Sequence, residues 1–212
     1  MNKTAIIIPS RLDARRFPNK PLKLINKKEM ILHVYDAAIK SKAGEVFVAS
    51  PDEEIIDRVK KYGGNAIKTS NLHKTGTDRV YEVFNDTLKK DPAIIINLQG
   101  DMPNIDPNSI YNLVSYMHEK KCDIGTLASK LNKKIDIENP NIVKVAIKEK
   151  FSDNAFLTAV DFSRKNINSN IHLYHHIGIY AFTNKALVKY VNLKRSKNEV
   201  ERNLEQLRAL DN

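Results

Sequence analysis

Two stretches of the chain, "TAIIIPS" (4–10) and "AIIINLQ" (93–99), are apolar at almost every position. Short continuous runs of this kind predict strands covered on both faces, as in a parallel sheet. "EVFVAS" (45–50) and "NAIKTS" (65–70) read as two further strands. Between these runs the apolar residues recur at helical spacing, over 28–42, 52–63 and 77–90, and again over 107–121. The starts of three helices carry local signals: Asp52 before Glu53 and Glu54, Thr77 before Asp78, and Asp106 as an N-cap before a first-turn Pro107. A βαβ succession of this kind predicts a mostly parallel, doubly wound α/β sheet flanked by helices.

From about residue 122 the pattern changes. "DIGTLASKL", "NIVKVAIKE" and "HIGIYAF" look like strands without regular helices between them, which predicts an inserted mixed or antiparallel β region. Two helical stretches, "NKALVKYVNL" and "NEVERNLEQLRAL", close the chain. With no repeat, low-complexity linker or Gly/Ser hinge, the chain reads as a single domain over 1–212.

Composition narrows the class. A chain of 212 residues with 42% hydrophobic positions can bury a real core. No apolar run reaches the roughly 18 residues of a membrane span, and the N-terminus lacks a signal layout, so a cytoplasmic protein with no membrane partner is expected. Cys122 is the only cysteine, which suits a reducing compartment and a plain semi-buried thiol. The net charge of +10 favours polyanions, but the lysines are scattered over solvent-facing helix positions and no aromatic residues are interleaved with them as stacking platforms. That distribution argues for a small polyanion and against nucleic acid.

Ligands of open α/β sheets sit beyond the carboxyl ends of the strands, and polar residues collect there. The first strand runs into "PSRLDARRFPNKPL", a stiff loop that carries Arg11, Arg15, Arg16 and Lys20. "AIIINLQGD" delivers Gln99, Gly100 and Asp101, an acid brought through a glycine that permits close approach to a divalent cation. Asp101 could equally cap the turn that follows. In "HKTGTDR" (73–79), Thr75, Gly76 and Thr77 open a helix whose N-terminus favours an anion, with Arg79 in its first turn. Neither a Walker loop nor a GxGxxG fingerprint occurs. Together the three elements predict a site for a nucleoside triphosphate with a metal.

The stretches "IIIPSRLDARRFPNKPL", "HKTGTDR", "NLQGDMP", "NPNIVKV", "FSR", "HHIGIYAF" and "LEQLR" occur in an order and spacing that resemble the 3-deoxy-D-manno-octulosonate (KDO) cytidylyltransferases, the CMP-KDO synthetases. The resemblance covers nearly the whole chain. It implies a glycosyltransferase-A-like fold with a nucleotide-binding half over about 1–121 and a sugar-binding and dimerisation half over about 122–212. It further implies a homodimer that uses Mg²⁺ and CTP to make CMP-KDO for lipopolysaccharide. By the resemblance, Ser10, Arg11, Arg16, Lys20, Thr75, Gly76, Arg79 and Gln99 bind the nucleotide, and Asp101 binds the metal. Arg11, Lys20 and Asp101 carry the catalysis, while Arg164, His176, Glu205 and Gln206 surround the acid sugar. His176 also has a plainer reading as a structural histidine before a buried strand, and Glu205 and Gln206 as an ordinary helix face.

Departures from the family pattern are Ala14 for a usual serine, Met102 for a common glutamate, and an end at Asn212 ahead of a "VDTPEDLE" segment whose aspartate completes metal coordination. These raise the expectation of CTP binding with impaired turnover. A nucleotide-binding homologue without activity, and a cytidylyltransferase for another acid sugar such as an N-acylneuraminate, stay open as alternatives.

Overall fold

The computed structural model describes residues 3–13, 17–131, 134–150, 152, 155–165 and 171–212. Along the chain the strands are β1 (Thr4–Pro9), β2 (Leu24–Ile25), β3 (Lys28–Glu29), β4 (Glu45–Ser50), β5 (Ala66–Lys68), β6 (Ile94–Asn97), β7 (Ile124–Ser129), β8 (Lys144–Ile147), β9 (Ala159–Ser163) and β10 (His172–Thr183). The helices are α1 (Met30–Ser41), α2 (Glu53–Lys61), α3 (Gly76–Glu82), α4 (Pro107–Lys120), α5 (Lys134–Glu138), α6 (Asn184–Asn192), α7 (Lys197–Arg202) and α8 (Leu207–Leu210). Among the described residues no helix is long and apolar enough to cross a membrane. The chain divides into two compact units, 1–125 with 179–191, and 126–178 with 192–212.

In the first unit the strand order is β5-β4-β1-β6, all parallel, followed by the second half of β10 antiparallel to β6. Every residue of β1 and β6 is buried, as their unbroken apolar character predicts. The chain travels outward from β1 through β4 to β5 and then returns to place β6 on the other side of β1. The sheet therefore has a topological switch point between β1 and β6. Pro9 closes β1 at its last residue, where a missing N–H costs the ladder least.

Three local readings are corrected. The helix expected over 28–42 begins at Met30, because Lys28 and Glu29 pair with Ile25 and Leu24 in a small hairpin. The helix expected over 77–90 is capped by Thr75, not Thr77: the Thr75 hydroxyl accepts from the Asp78 N–H at 3.1 Å and the Asp78 carboxylate accepts from the Thr75 N–H at 3.2 Å. This reciprocal box fixes the start two residues early, and after Glu82 the helix widens into a π turn over Val83–Thr87. The stretch "NEVERNLEQLRAL" is two helices, since Asn203 adopts φ 52° and ends α7.

In the second unit β8 lies between β9 and the first half of β10, both antiparallel to it. Val145, Ile147, Phe162 and Tyr174 from these strands form one apolar cluster with Leu204 and Leu207. A buried ion pair fixes the α7–α8 turn: Arg208 donates to both Glu199 oxygens at 2.7 and 2.8 Å, and Arg195 adds a third bond at 3.0 Å. Burial pushes the Glu199 carboxyl up, but the bonds from Arg208 and Arg195 outweigh it and hold the group below its ordinary value.

Removing one partner of a buried pair leaves an uncompensated charge. Arg208→Ala should therefore cost about 3–5 kcal/mol in urea unfolding, whereas Lys20→Ala, at an exposed pair, should cost under about 1 kcal/mol. A carboxyl depressed on folding contributes stability above its unfolded pKa and loses it as pH falls through the folded value. The wild type should therefore lose stability below about pH 4.5 more steeply than Glu199→Gln, read from unfolding midpoints across pH.

Candidate active site

The carboxyl ends of β1 and β6 lie side by side at the switch point, and the first unit opens there into a cleft of about 270 Å³. Its walls come from three chain segments: Pro9, Ser10, Arg11, Lys20 and Pro21; His73 to Gly76 with Arg79; and Gln99 to Asp101. Met30 also lines it. Among the described residues the lining holds four Lys or Arg residues, Arg11, Lys20, Lys74 and Arg79, and one carboxylate, Asp101.

Each wall has its own support. The loop after β1 is tied back by the Leu12 N–H donating to Asp52 Oδ2 at 2.8 Å and by the Asn19 N–H donating to the Leu12 carbonyl at 3.2 Å. Asp52 thus occupies the N-cap position of α2 without capping it, because its side chain serves this loop. Asn19, with φ 57°, then turns the chain into a 3₁₀ turn over Lys20–Leu22 with Pro21 buried. This brings the Lys20 ammonium to 2.8 Å from Asp101 Oδ2.

At the opposite wall Asn97 ends β6 almost fully buried, donates to Thr77 Oγ1 at 3.2 Å and accepts from Gln99 Nε2 at 2.8 Å. That chain of bonds orients the Gln99 amide at the cleft. Arg79 is 4% exposed and donates to Thr69 Oγ1 and, at 2.9 Å, to the Ser70 carbonyl. Burial lowers its pKa, with Arg11 acting in the same direction and Glu82 against it. His73 bonds Glu82, which also accepts the Ser70 N–H. The wall from His73 to Arg79 is therefore braced by its own polar groups.

Ser10 Oγ is buried without a hydrogen-bond partner among the described residues, although its N–H continues the ladder to the Ala49 carbonyl at 2.9 Å. An orphaned hydroxyl in the wall of a cationic cleft is a donor waiting for an acceptor. Gly100 suits a close approach, since a Cβ there would lie 3.0 Å from the Pro9 carbonyl oxygen and 3.4 Å from Ser10 Cβ.

Of the residues predicted for nucleotide and metal, Ser10, Arg11, Lys20, Thr75, Gly76, Arg79, Gln99 and Asp101 all line this cleft. Arg16 lies outside the described residues, as do Ala14 and Arg15. His73, Lys74, Pro21 and Met30 were not singled out from the sequence. The signal for His73 and Lys74 was their place in the same "HKTGTDR" stretch, whereas Met30 belongs to a helix whose start was misplaced.

The residues predicted for the sugar belong to the second unit. Arg164 follows the last register pair of β9, Ser163 with Lys144, and its exposed guanidinium donates to the Pro140 carbonyl at 3.2 Å. On the other side of β8, His176 donates its N–H to the Val143 carbonyl at 2.9 Å. Arg164 and His176 thus come from the two strands on either side of β8, near one end of it. The His176 ring is 6% exposed, 2.9 Å from Thr126 Oγ1 and edge-on to Phe162, and burial pushes its pKa down to about 4. It is a neutral ring at ordinary pH. Glu205 and Gln206 are half-buried between Leu204 and Leu207, the two α7–α8 residues held in the apolar cluster.

The sequence profile described as cytidylyltransferase matches residues 5–212. The chain belongs to the cytidylyltransferase family. It is 41% identical to the 3-deoxy-manno-octulosonate cytidylyltransferase of Thermodesulfovibrio yellowstonii, over 99% of this chain and 86% of that protein. It is 39% identical to the enzyme of the same name from Brucella anthropi, over 99% of this chain and 84% of that one. A solved structure of CMP:2-keto-3-deoxy-manno-octonic acid synthetase complexed with CTP superposes with a TM-score of 0.87 at 36% identity, covering 99% of this chain and 86% of that chain. The chain therefore has the mostly parallel α/β fold, flanked by helices, that the resemblance implied.

Because a Cβ at position 100 would crowd the Pro9 carbonyl oxygen at 3.0 Å, Gly100→Ala should destabilise the protein by about 1–3 kcal/mol. It should also displace Asp101, and a denaturation curve that overlays the wild type would count against the crowding.

Proposed function

We propose that this cytidylyltransferase transfers the cytidylyl group of CTP to KDO, giving CMP-KDO and pyrophosphate for lipopolysaccharide synthesis. The observation that carries the reading is the cleft at the switch point, where, among the described residues, three distant segments bring four cations, an orphaned hydroxyl and one carboxylate together. Its support is the relatedness to proteins named for that activity.

In the transfer the anomeric 2-hydroxyl oxygen of KDO forms a bond to the α-phosphorus of CTP. The bond from that phosphorus to the bridging oxygen of the β-phosphate breaks, pyrophosphate leaves, and the hydroxyl proton is lost. Two anions must meet, so charge is the main obstacle. Arg11, Lys20 and Lys74 are the flexible cations that offset it on the phosphate oxygens, and Arg79, locked to Thr69 and Ser70, contributes a fixed positive wall. Gln99 donates one amide hydrogen to Asn97 and leaves its carbonyl oxygen to accept from the cytosine amino group. Arg164 offers a planar fork to the sugar carboxylate. Fixed contacts to a reactant lower the ordering cost of the transfer, an advantage that reaches roughly 7–11 kcal/mol at best.

Among the described residues no cluster of three or more His, Cys, Asp or Glu could cage a metal. One cleft carboxylate suits Mg²⁺ delivered on nucleotide phosphates, an ion held through one or two carboxylates, phosphate oxygens and waters. Asp101 is the residue that would hold it, and when bound it would supply neutralising charge at the phosphoryl oxygens. For that role the Lys20–Asp101 pair must open, at little cost because it is solvent-exposed. Opening the pair would leave Lys20 available to the phosphates.

The deciding experiment is CMP-sugar formation from CTP with KDO and N-acetylneuraminate in competition; consumption of KDO is expected, and exclusive use of the other sugar would overturn the substrate. Lys20→Ala should weaken CTP at least tenfold more than CMP by calorimetry, and parallel losses for both nucleotides would remove Lys20 from the outer phosphates. Ser10→Ala should leave stability unchanged or raise it by about 1 kcal/mol while weakening CTP binding, because it deletes a hydroxyl satisfied only by ligand.

A further inference from the structure

Within the apolar run "NIVKVAI" one position breaks the pattern. Lys144 is the first residue of β8 and has no exposed surface, so that a side chain ordinarily found in water is sealed among strands. An isolated buried ammonium is costly and is retained only where it is hydrogen-bonded or paired. Both hydrogen bonds described for Lys144 go to backbone carbonyls, Asn139 O at 2.6 Å and Arg164 O at 2.8 Å. No described carboxylate pairs with it. Burial lowers its pKa, and the neighbouring Arg164 guanidinium lowers it further. A methionine would fill the same volume without that penalty, so the ammonium is there for what it holds.

What it holds is a closed brace around Arg164. The last register pair between β8 and β9 is Lys144 with Ser163, so Arg164 is the first residue of that chain segment without a ladder partner. Lys144 reaches past the end of the ladder and takes the Arg164 carbonyl. With another of its hydrogens it takes Asn139, and the Arg164 guanidinium donates to Pro140, the next residue along. Backbone and side chain of Arg164 are thereby referred to the same turn, Asn139–Pro140, from two directions. A compact three-donor ammonium can join two carbonyls in this way; a planar guanidinium or an amide of the same length cannot place its donors equivalently.

We propose that Lys144 is a positioning residue that sets Arg164 for the carboxylate of the acid sugar, and so determines affinity for that substrate without touching it. The inference rests on the reading of Arg164 given above. Fixing the anchor of a flexible arginine lowers the ordering cost of a bidentate contact with carboxylate, and that gain falls on the sugar alone.

The test compares Lys144→Met, Lys144→Gln, Arg164→Ala and the double variant Lys144→Met/Arg164→Ala in the full chain. Lys144→Met should raise KM for KDO at least tenfold while the Kd for CTP, measured by calorimetry, stays within twofold. Lys144→Gln, which keeps a donor, should lie between it and the wild type. The double variant should be no worse than Arg164→Ala alone, since the brace has nothing left to position. Equal losses toward KDO and CTP would make Lys144 merely structural and overturn the proposal. A normal KM for KDO in Lys144→Met with a raised one in Arg164→Ala would overturn it while leaving the role of Arg164 intact. A normal KM for KDO in Arg164→Ala would sink both. If Lys144→Met does not fold, Lys144→Gln decides by the same readouts.

Discussion

β6 can lie parallel to β1 on the side away from β4 only because the chain runs out to β5 and then crosses back, and this reversal opens the sheet between the carboxyl ends of β1 and β6. Everything at the cleft follows from that gap. Both strands are buried along their length, so each must turn polar where it emerges: Ser10 and Arg11 after β1, Gln99 and Asp101 after β6. Gly100 lets the two exits approach closely enough to share one ligand. A side chain at that position would push apart the groups that the switch point brings together.

Charge is distributed around the cleft in two regimes. Lys20 and Asp101 pair near the surface, where water screens the attraction and the contact can be exchanged for phosphate and cation. Arg79 is sealed into the wall by Thr69 and Ser70, where its position is fixed and its charge is little screened. A movable cation suits an outer phosphate that arrives and departs. A locked one suits a field that must be present before the substrate enters.

The second unit uses buried polar groups for the same purpose of fixing position. Glu199 and Arg208 hold the turn that carries Glu205 and Gln206, and Lys144 holds the backbone of Arg164. Each replaces cheaper apolar packing by bonds with defined direction. Small apolar contacts tolerate rotation and sliding, whereas a bidentate pair or a two-carbonyl grip does not.

The periodicity of the chain by itself determined the parallel strands, the helices between them and the polar exits of β1 and β6. These depend on local alternation and on what an apolar run must do when it ends. Motifs also picked out eight residues that line the cleft, six of them in the loops that follow the buried strands β1 and β6 or the turn that opens α3. The starts of α1 and α3 were misread, since a two-residue hairpin is too short to show a period and Thr75 and Thr77 are equally good caps until the Asp78 side chain chooses between them. Only the tertiary structure decided that β10 would close the first unit beside β6, that Asp52 would serve the cation loop instead of its own helix, and that Lys144, Arg79 and Arg208 would be buried. Each of these depends on a partner between nine and more than eighty residues away in sequence, such as Arg208 with Glu199 and Phe182 with Ile95. A lysine or arginine reads as solvent-facing until the fold brings the carbonyl or carboxylate that makes its burial possible.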